Sequence, residues 1–188
     1  MNEVQLTRLK KSFPNNMEIV STRAINSMFT GEHNPTESDI GLIKINGEEI
    51  HIPSRIYSPE TMGFQQLNDI ELKILHCLYT RHHNGYVRAK YISKILPPSD
   101  IWVIPFVVQL LGEYIIEISE LIQSRMTECD KELFIKFKNE NTSFCELTSN
   151  RIISYWNEYY RSKYQSIEDY TPFIVANYLG VWCISNSQ

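Results

Sequence analysis

The densest group of potential metal ligands in the chain is His76, Cys77, His82 and His83. Imidazole and thiolate are ligands that zinc and its neighbours accept. The spacing does not favour one shared ion. His76 and His83 would share a helical face, but at 1.5 Å of rise per residue they stand about 10 Å apart. The HExxH pattern, which brings two histidines together at i, i+4, is absent. A histidine pair at a helix C-terminus, where positive charge complements the dipole, accounts for His82 and His83 without a metal. A metal-dependent or other enzyme using His76, His82 or His83 with nearby acidic residues is the alternative functional reading.

A second constellation is acidic. Glu113, Glu117 and Glu120 fall together on a helical projection, opposite an apolar stripe. Di-metal carboxylate bundles need an ExxH pair facing inward, and here Glu117 is followed three residues on by Glu120. Such a row can pair with basic side chains of a partner, or with Arg88 and Arg125 of the chain itself. Glu113 directly follows the apolar run; if buried, it would need Arg88 or Arg55 beside it. A third group is aromatic. Tyr155, Trp156, Tyr159, Tyr160 and Tyr164 alternate with Arg161 and Lys163. These residues could stack on bases, form a protein interface, or pack as a helix with hydroxyls at its rim. GxSxG, the P-loop and GxGxxG are all missing, so no cofactor is expected.

The elements that must position these side chains are mostly helical. Residues 101–122 read as one central helix: apolar on all sides at first, amphipathic later, with Ser99 or Asp100 as its cap. Pro105 suits a first turn. Gly112, which costs about 1 kcal/mol in a helix interior, is explained by close approach of a neighbouring helix. Residues 3–12 and 16–29 form N-terminal helices, and 31–39 a polar loop. Residues 40–45 and 48–52 flank Asn46-Gly47, a hairpin signal because a type I′ turn needs positive φ at both central positions. Residues 54–67 are a connection. Asn68 and Glu71 make a capping box for the next helix. Asn84-Gly85 turns the chain into a further helix, which Pro97-Pro98 stops. A helix or strand follows at 131–138 and a polar loop at 139–143. A helix capped by Thr148 or Ser149 then runs from 150 to about 164, and the last apolar segment is 170–184. Pro105-Phe106-Val107-Val108 with Leu111-Gly112 is echoed by Pro172-Phe173-Ile174-Val175 with Leu179-Gly180. The echo suggests two similar helical hairpins stacked together.

The stretch Asn84-Gly85-Tyr86-Val87-Arg88-Ala89-Lys90-Tyr91-Ile92 resembles the HEAT-repeat pattern, in which a turn residue precedes Val-Arg at the start of an inner helix. Asn84 stands where that family usually has Asp, and Tyr91 is bulkier than the usual small residue. The resemblance covers one helical pair, about residues 70–96. It implies solenoid-like packing and protein binding, and it carries over no catalytic residue.

Bulk properties narrow the function. A chain of 188 residues is long enough to bury a core without disulfide or metal staples. Net charge is −4, which disfavours nucleic acid as a partner because phosphate neutralisation needs a basic face. Three glutamates in the second half of the 101–122 segment argue against a membrane span. Four scattered cysteines without a CxxC read as reduced thiols, and the N-terminus lacks the apolar core of a signal peptide, so a cytoplasmic location is expected. The expected fold is a single, mainly α domain over residues 1–188: N-terminal helices at 1–30, a β-hairpin at 40–53 in the N-terminal third, and a helical body at 68–188. In that body helical hairpins surround a central buried helix. The expected function is non-enzymatic binding of a basic protein, in the manner of an inhibitor or immunity protein. The candidate partner-binding residues are Glu113, Glu117, Glu120, Tyr155, Tyr159 and Arg88.

Overall fold

The computed structural model describes residues 3–28, 34–60 and 66–184, arranged in two compact units, 1–95 and 96–188. The fold is mainly α-helical, with one β-hairpin in the N-terminal third.

In the first unit, helix α1 is Glu3–Lys10 and α2 is Glu18–Ser27, entered through a 3₁₀ turn at Asn15–Met17. Ala24, Ile25 and Met28 are buried along one side of α2. Phe29, expected to close this helix, and 31–33 of the expected loop lie outside the described residues. Strands β2 (Ile43–Ile45) and β3 (Glu48–Ile50) follow β1 (Asn34–Pro35) and pair antiparallel, with Ile43 opposite Ile50. Asn46 at φ 52° and Gly47 at φ 83° make the expected turn. The hairpin is tied to the end of α1, since the His51 amide donates to the Lys11 carbonyl at 2.8 Å. β1 pairs with β4 (Ile56–Tyr57), so a short ladder runs through segments that read as loop.

Helix α3 (Asp69–Tyr79) begins with the capping box read from sequence. The Glu71 amide donates to Asn68 Oδ1 and the Asn68 amide to Glu71 Oε2, both at 2.9 Å. Helix α4 (Gly85–Ile95) packs back on α3, and α3 packs on α2.

The second unit is built around α5 (Ile104–Leu111), every residue of which is buried. Pro105 sits in its first turn, where the missing N–H does no harm. α6 (Ile116–Arg125), α7 (Lys131–Glu140), α8 (Thr142–Tyr155) and α9 (Thr171–Tyr178) all contact α5.

The central helix is nevertheless shorter than its apolar pattern suggested. A 3₁₀ turn, Ile101–Val103, precedes α5, and Asp100 at its N-cap position makes no side-chain capping bond. The chain then breaks at Gly112 (φ −90°, ψ 30°) and restarts as α6 at Ile116. A Cβ at 112 would stand 3.2 Å from Thr148 Cγ2 and 3.4 Å from Arg151 Cβ, so α8 does make the close approach that a glycine implied. The helix expected at 150–164 is also displaced. α8 starts at Thr142, leaving one residue, Asn141, between it and α7, so the polar run 139–143 is mostly helical. Thr148 and Ser149 lie buried inside α8, and the Thr148 hydroxyl bonds the Phe144 carbonyl one turn back at 3.0 Å. α8 continues into a π-helical turn, Trp156–Tyr160.

The sequence echo has a structural counterpart. α5 and α9 each follow a 3₁₀ turn, carry Pro near the start, span eight residues and end at a Leu-Gly pair or just before one. The glycines differ. Gly180 has φ +76° and closes a Schellman motif, with Val181 N–H on the Ala176 carbonyl at 2.9 Å and Gly180 N–H on that of Asn177 at 3.2 Å.

Candidate protein-binding surface

The histidines sit at the end of α3, but not as a surface pair. His82 is buried, and both its ring nitrogens are taken. Nδ1 accepts the Asn84 amide at 3.0 Å, which leaves Nε2 to donate to the Ser58 carbonyl at 2.7 Å. Burial pushes the His82 pKa down, which fits this neutral tautomer. His83 is exposed and stacks on Tyr57, ring centroids 5.1 Å apart. His76 is half-buried beside Tyr91, and burial, with Lys94 adding to it, lowers its pKa as well. Cys77 is fully buried. Among the described residues no group of three or more His, Cys, Asp or Glu side chains could hold a metal ion.

Arg88 belongs to the same turn. It is buried, and its Nη1 donates to the carbonyls of His82 (2.8 Å) and His83 (2.9 Å). The turn is also bonded to β4: the Ile56 amide donates to the Arg81 carbonyl at 2.8 Å and the His83 amide to the Ile56 carbonyl at 3.0 Å. Tyr91 donates to Glu60 at 3.1 Å, and burial followed by that carboxylate holds its phenol above the ordinary range. The polar atoms named here hold the α3–α4 turn together, so Arg88 offers a partner little surface.

The second unit arranges its candidates differently. The break at Gly112 divides the expected acidic ridge. Gln109 and Glu113 are buried, whereas Glu117 and Glu120 are exposed on α6. Just past the same break, Tyr114 faces outward at 56 % exposure. Its ring meets that of Tyr155 at 6.3 Å, and Tyr155 stacks on Tyr159 at 6.1 Å. Tyr159 is 62 % exposed. Three tyrosines from two distant stretches of sequence thus form one strip.

The π turn fixes this strip against α6. The Tyr160 hydroxyl donates to the Tyr114 carbonyl at 2.6 Å, and the Trp156 indole donates to the Tyr164 carbonyl at 2.8 Å. Burial raises the Tyr160 phenol; the Ile116 backbone offsets this in part, and the Glu117 charge adds to it. Tyr170 lies underneath, fully buried, its ring 5.3 Å from that of Tyr160. The basic residues interleaved with the aromatics have contacts within the unit. Arg151 donates to Gln109 at 3.1 Å, and Arg161 lies over the Trp156 ring at 5.4 Å. Lys163 is held above its ordinary pKa first by the Tyr164 phenol, with Glu120 also contributing.

Of the six partner-binding candidates, Tyr155 and Tyr159 stack on each other in this strip, and Glu117 and Glu120 are exposed on α6. Glu113 and Arg88 are buried. Tyr114 was missed as a surface residue, and the available signal was the Gly112-Glu113 pair, a glycine followed by a charge inside an apolar run. No helix among the described residues is long and apolar enough to cross a membrane. No family model matches the chain, and neither a curated protein nor a solved structure matches it significantly.

Proposed function

We propose that the chain is a non-enzymatic protein-binding domain that takes a basic partner on the strip formed by Tyr114, Tyr155 and Tyr159, with Glu117 and Glu120 at its edge. The observation that carries this reading is a row of three tyrosines, Tyr114 and Tyr159 exposed and Tyr155 half-buried between them, with the exposed Glu117 and Glu120 on α6. Tyrosine supplies large contact area at low entropic cost and is enriched at binding hot spots. Rim carboxylates steer a partner of opposite charge more than they add affinity. The chain's net charge of −4 points the same way. The nearby Arg151, Arg161 and Lys163 are engaged within the unit, which favours protein over a phosphate backbone. An inhibitor or immunity-type role, blocking the partner by occupying its basic surface, is the form of this reading that we favour. A cytoplasmic site of action goes with it. The histidine-based enzyme has less support, because His82 has both ring nitrogens engaged.

The test is quantitative affinity capture from the native lysate with two baits, the wild-type chain and the double variant Glu117→Lys/Glu120→Lys. One basic protein retained by the first and depleted from the second is the expected result. Titration of that protein with Tyr159→Ala should then show affinity about tenfold weaker, a hot-spot effect. Equal recovery on both baits overturns the proposal.

A further inference from the structure

We propose that Cys145 and Cys183 form a reversible disulfide, a redox modification site that ties the segment after α9 to the middle of α8. The argument starts from where the backbone runs. After the Schellman turn at Gly180 the chain leaves α9, and the Cys183 amide donates to Ser149 Oγ at 3.0 Å. Ser149 and Cys145 are i, i+4 on α8 and therefore share a face. The Cys183 sulfur points back along the helix and lies 4.0 Å from Glu146 Oε1, in the turn that carries Cys145. Both cysteines are free thiols, Cys145 fully buried and Cys183 partly accessible. Burial pushes the Cys145 thiol up to about 12, and Cys183 adds to the shift. Glu146 is the carboxylate at the Cys183 thiol, and Lys138 is the cation that acts on Cys145.

Accessibility sets the order of events. The Cys183 thiolate attacks a small-molecule disulfide such as oxidised glutathione. One S–S bond forms, the glutathione disulfide breaks, and one glutathione leaves as thiolate. The Cys145 thiolate then attacks the Cys183 sulfur. The protein disulfide forms and the second glutathione leaves. The two protein thiols lose two electrons and two protons, and the two released glutathiones gain them. The buried thiol reacts only within the chain, because the partner sulfur comes to it.

The remaining cysteines do not offer such a pair. Cys77 lies in the first unit, and Cys129 is buried with its thiol directed to the Arg125 carbonyl at 3.6 Å.

The test uses the full chain, equilibrated in glutathione buffers from fully reduced to fully oxidised, quenched by alkylation and mapped by non-reducing peptide mass spectrometry. The expected product is a linked Cys145–Cys183 peptide that appears with oxidation and disappears on reduction, with a higher thermal midpoint in the oxidised chain. Cys183→Ser should leave Cys145 alkylated at every ratio, and this variant changes a partly exposed position, so folding is not in question. A Cys183–glutathione adduct beside a fully alkylated Cys145 overturns the proposal. So does a different pairing, or four thiols still free in oxidised glutathione alone.

Discussion

The chain holds two clusters of aromatic and polar side chains with opposite fates. Around the α3–α4 turn, His82, Arg88 and Tyr91 direct their polar atoms at protein partners, mostly backbone carbonyls. Around the π turn, Tyr114 and Tyr159 direct theirs outward and leave fixation to Tyr160 and Trp156. The side-chain chemistry is much alike. The difference is whether the local backbone has its own hydrogen bonds. The α3–α4 turn, with carbonyls that no helix satisfies, consumes the side chains near it. The π turn continues α8 and satisfies most of its own backbone, so its aromatic rings remain available for a partner.

The sharpest way to break this comparison is Arg88→Met. The buried His82 carbonyl and the part-buried His83 carbonyl would lose a charge-assisted donor, and unfolding by urea should show a loss of about 2 kcal/mol. A loss no larger than that of an ordinary surface substitution would mean that the first cluster is not structural. Gly112→Ala comes next. Its Cβ must displace Thr148 Cγ2 or Arg151, at a cost of about 1 kcal/mol. Thr148→Ser removes the opposing methyl and should recover part of that loss in the double variant; no recovery would move the strain elsewhere.

Acidity should produce a smaller, graded effect confined to the first cluster. His82 and His76 have folded pKa values below the ordinary 6.5, so the unfolded chain binds protons first. Their contribution is present in full above that value and is lost as pH falls from it through the lowered folded values. Urea midpoints measured down this window should decline, and His82→Gln should flatten the decline. A wild-type profile without slope would show that the histidines are not held neutral. The smallest effect belongs to the second cluster. Glu117→Lys/Glu120→Lys should leave stability within about 0.5 kcal/mol, since both side chains are exposed. A larger thermal shift would make α6 a structural face rather than a binding one.

Short-range signals in the sequence were dependable. Asn68 with Glu71, Asn46-Gly47, and Pro105 with Pro172 each work within a few residues of themselves, and each is where its spacing placed it. Gly112 was read correctly in cause and incompletely in consequence: the neighbour is there, but the helix also stops. Periodicity could not reveal the stop, because Ile115, Ile118 and Ile122 continue the stripe on the far side of it. Thr148 and Ser149 looked like caps because hydroxyls near an apolar run usually are. Here Thr148 bonds its own helix one turn back and Ser149 receives an amide from 34 residues away. The burial of His82 was illegible for the same reason, since Ser58 lies 24 residues upstream. The candidate surface lies between these cases. Glu117, Glu120, Tyr155 and Tyr159 could be chosen by residue type, but the tyrosine strip also needs Tyr114, which lies just past the break at Gly112.

The π turn at Trp156–Tyr160 has an evolutionary side. A π turn is equivalent to an α-helix that has absorbed one residue beyond its register. The packed part of α8, Phe144 to Ile152, lies entirely before it. An insertion or deletion here spares the packed part of α8, yet each residue gained or lost rotates the downstream side chains by about 100°, including the Tyr160 ring that packs on buried Tyr170. Tyr155 would stay in place while Tyr159 and Tyr160 swung to a new bearing. A change of length alone would thus redraw the tyrosine strip without replacing any of its tyrosines.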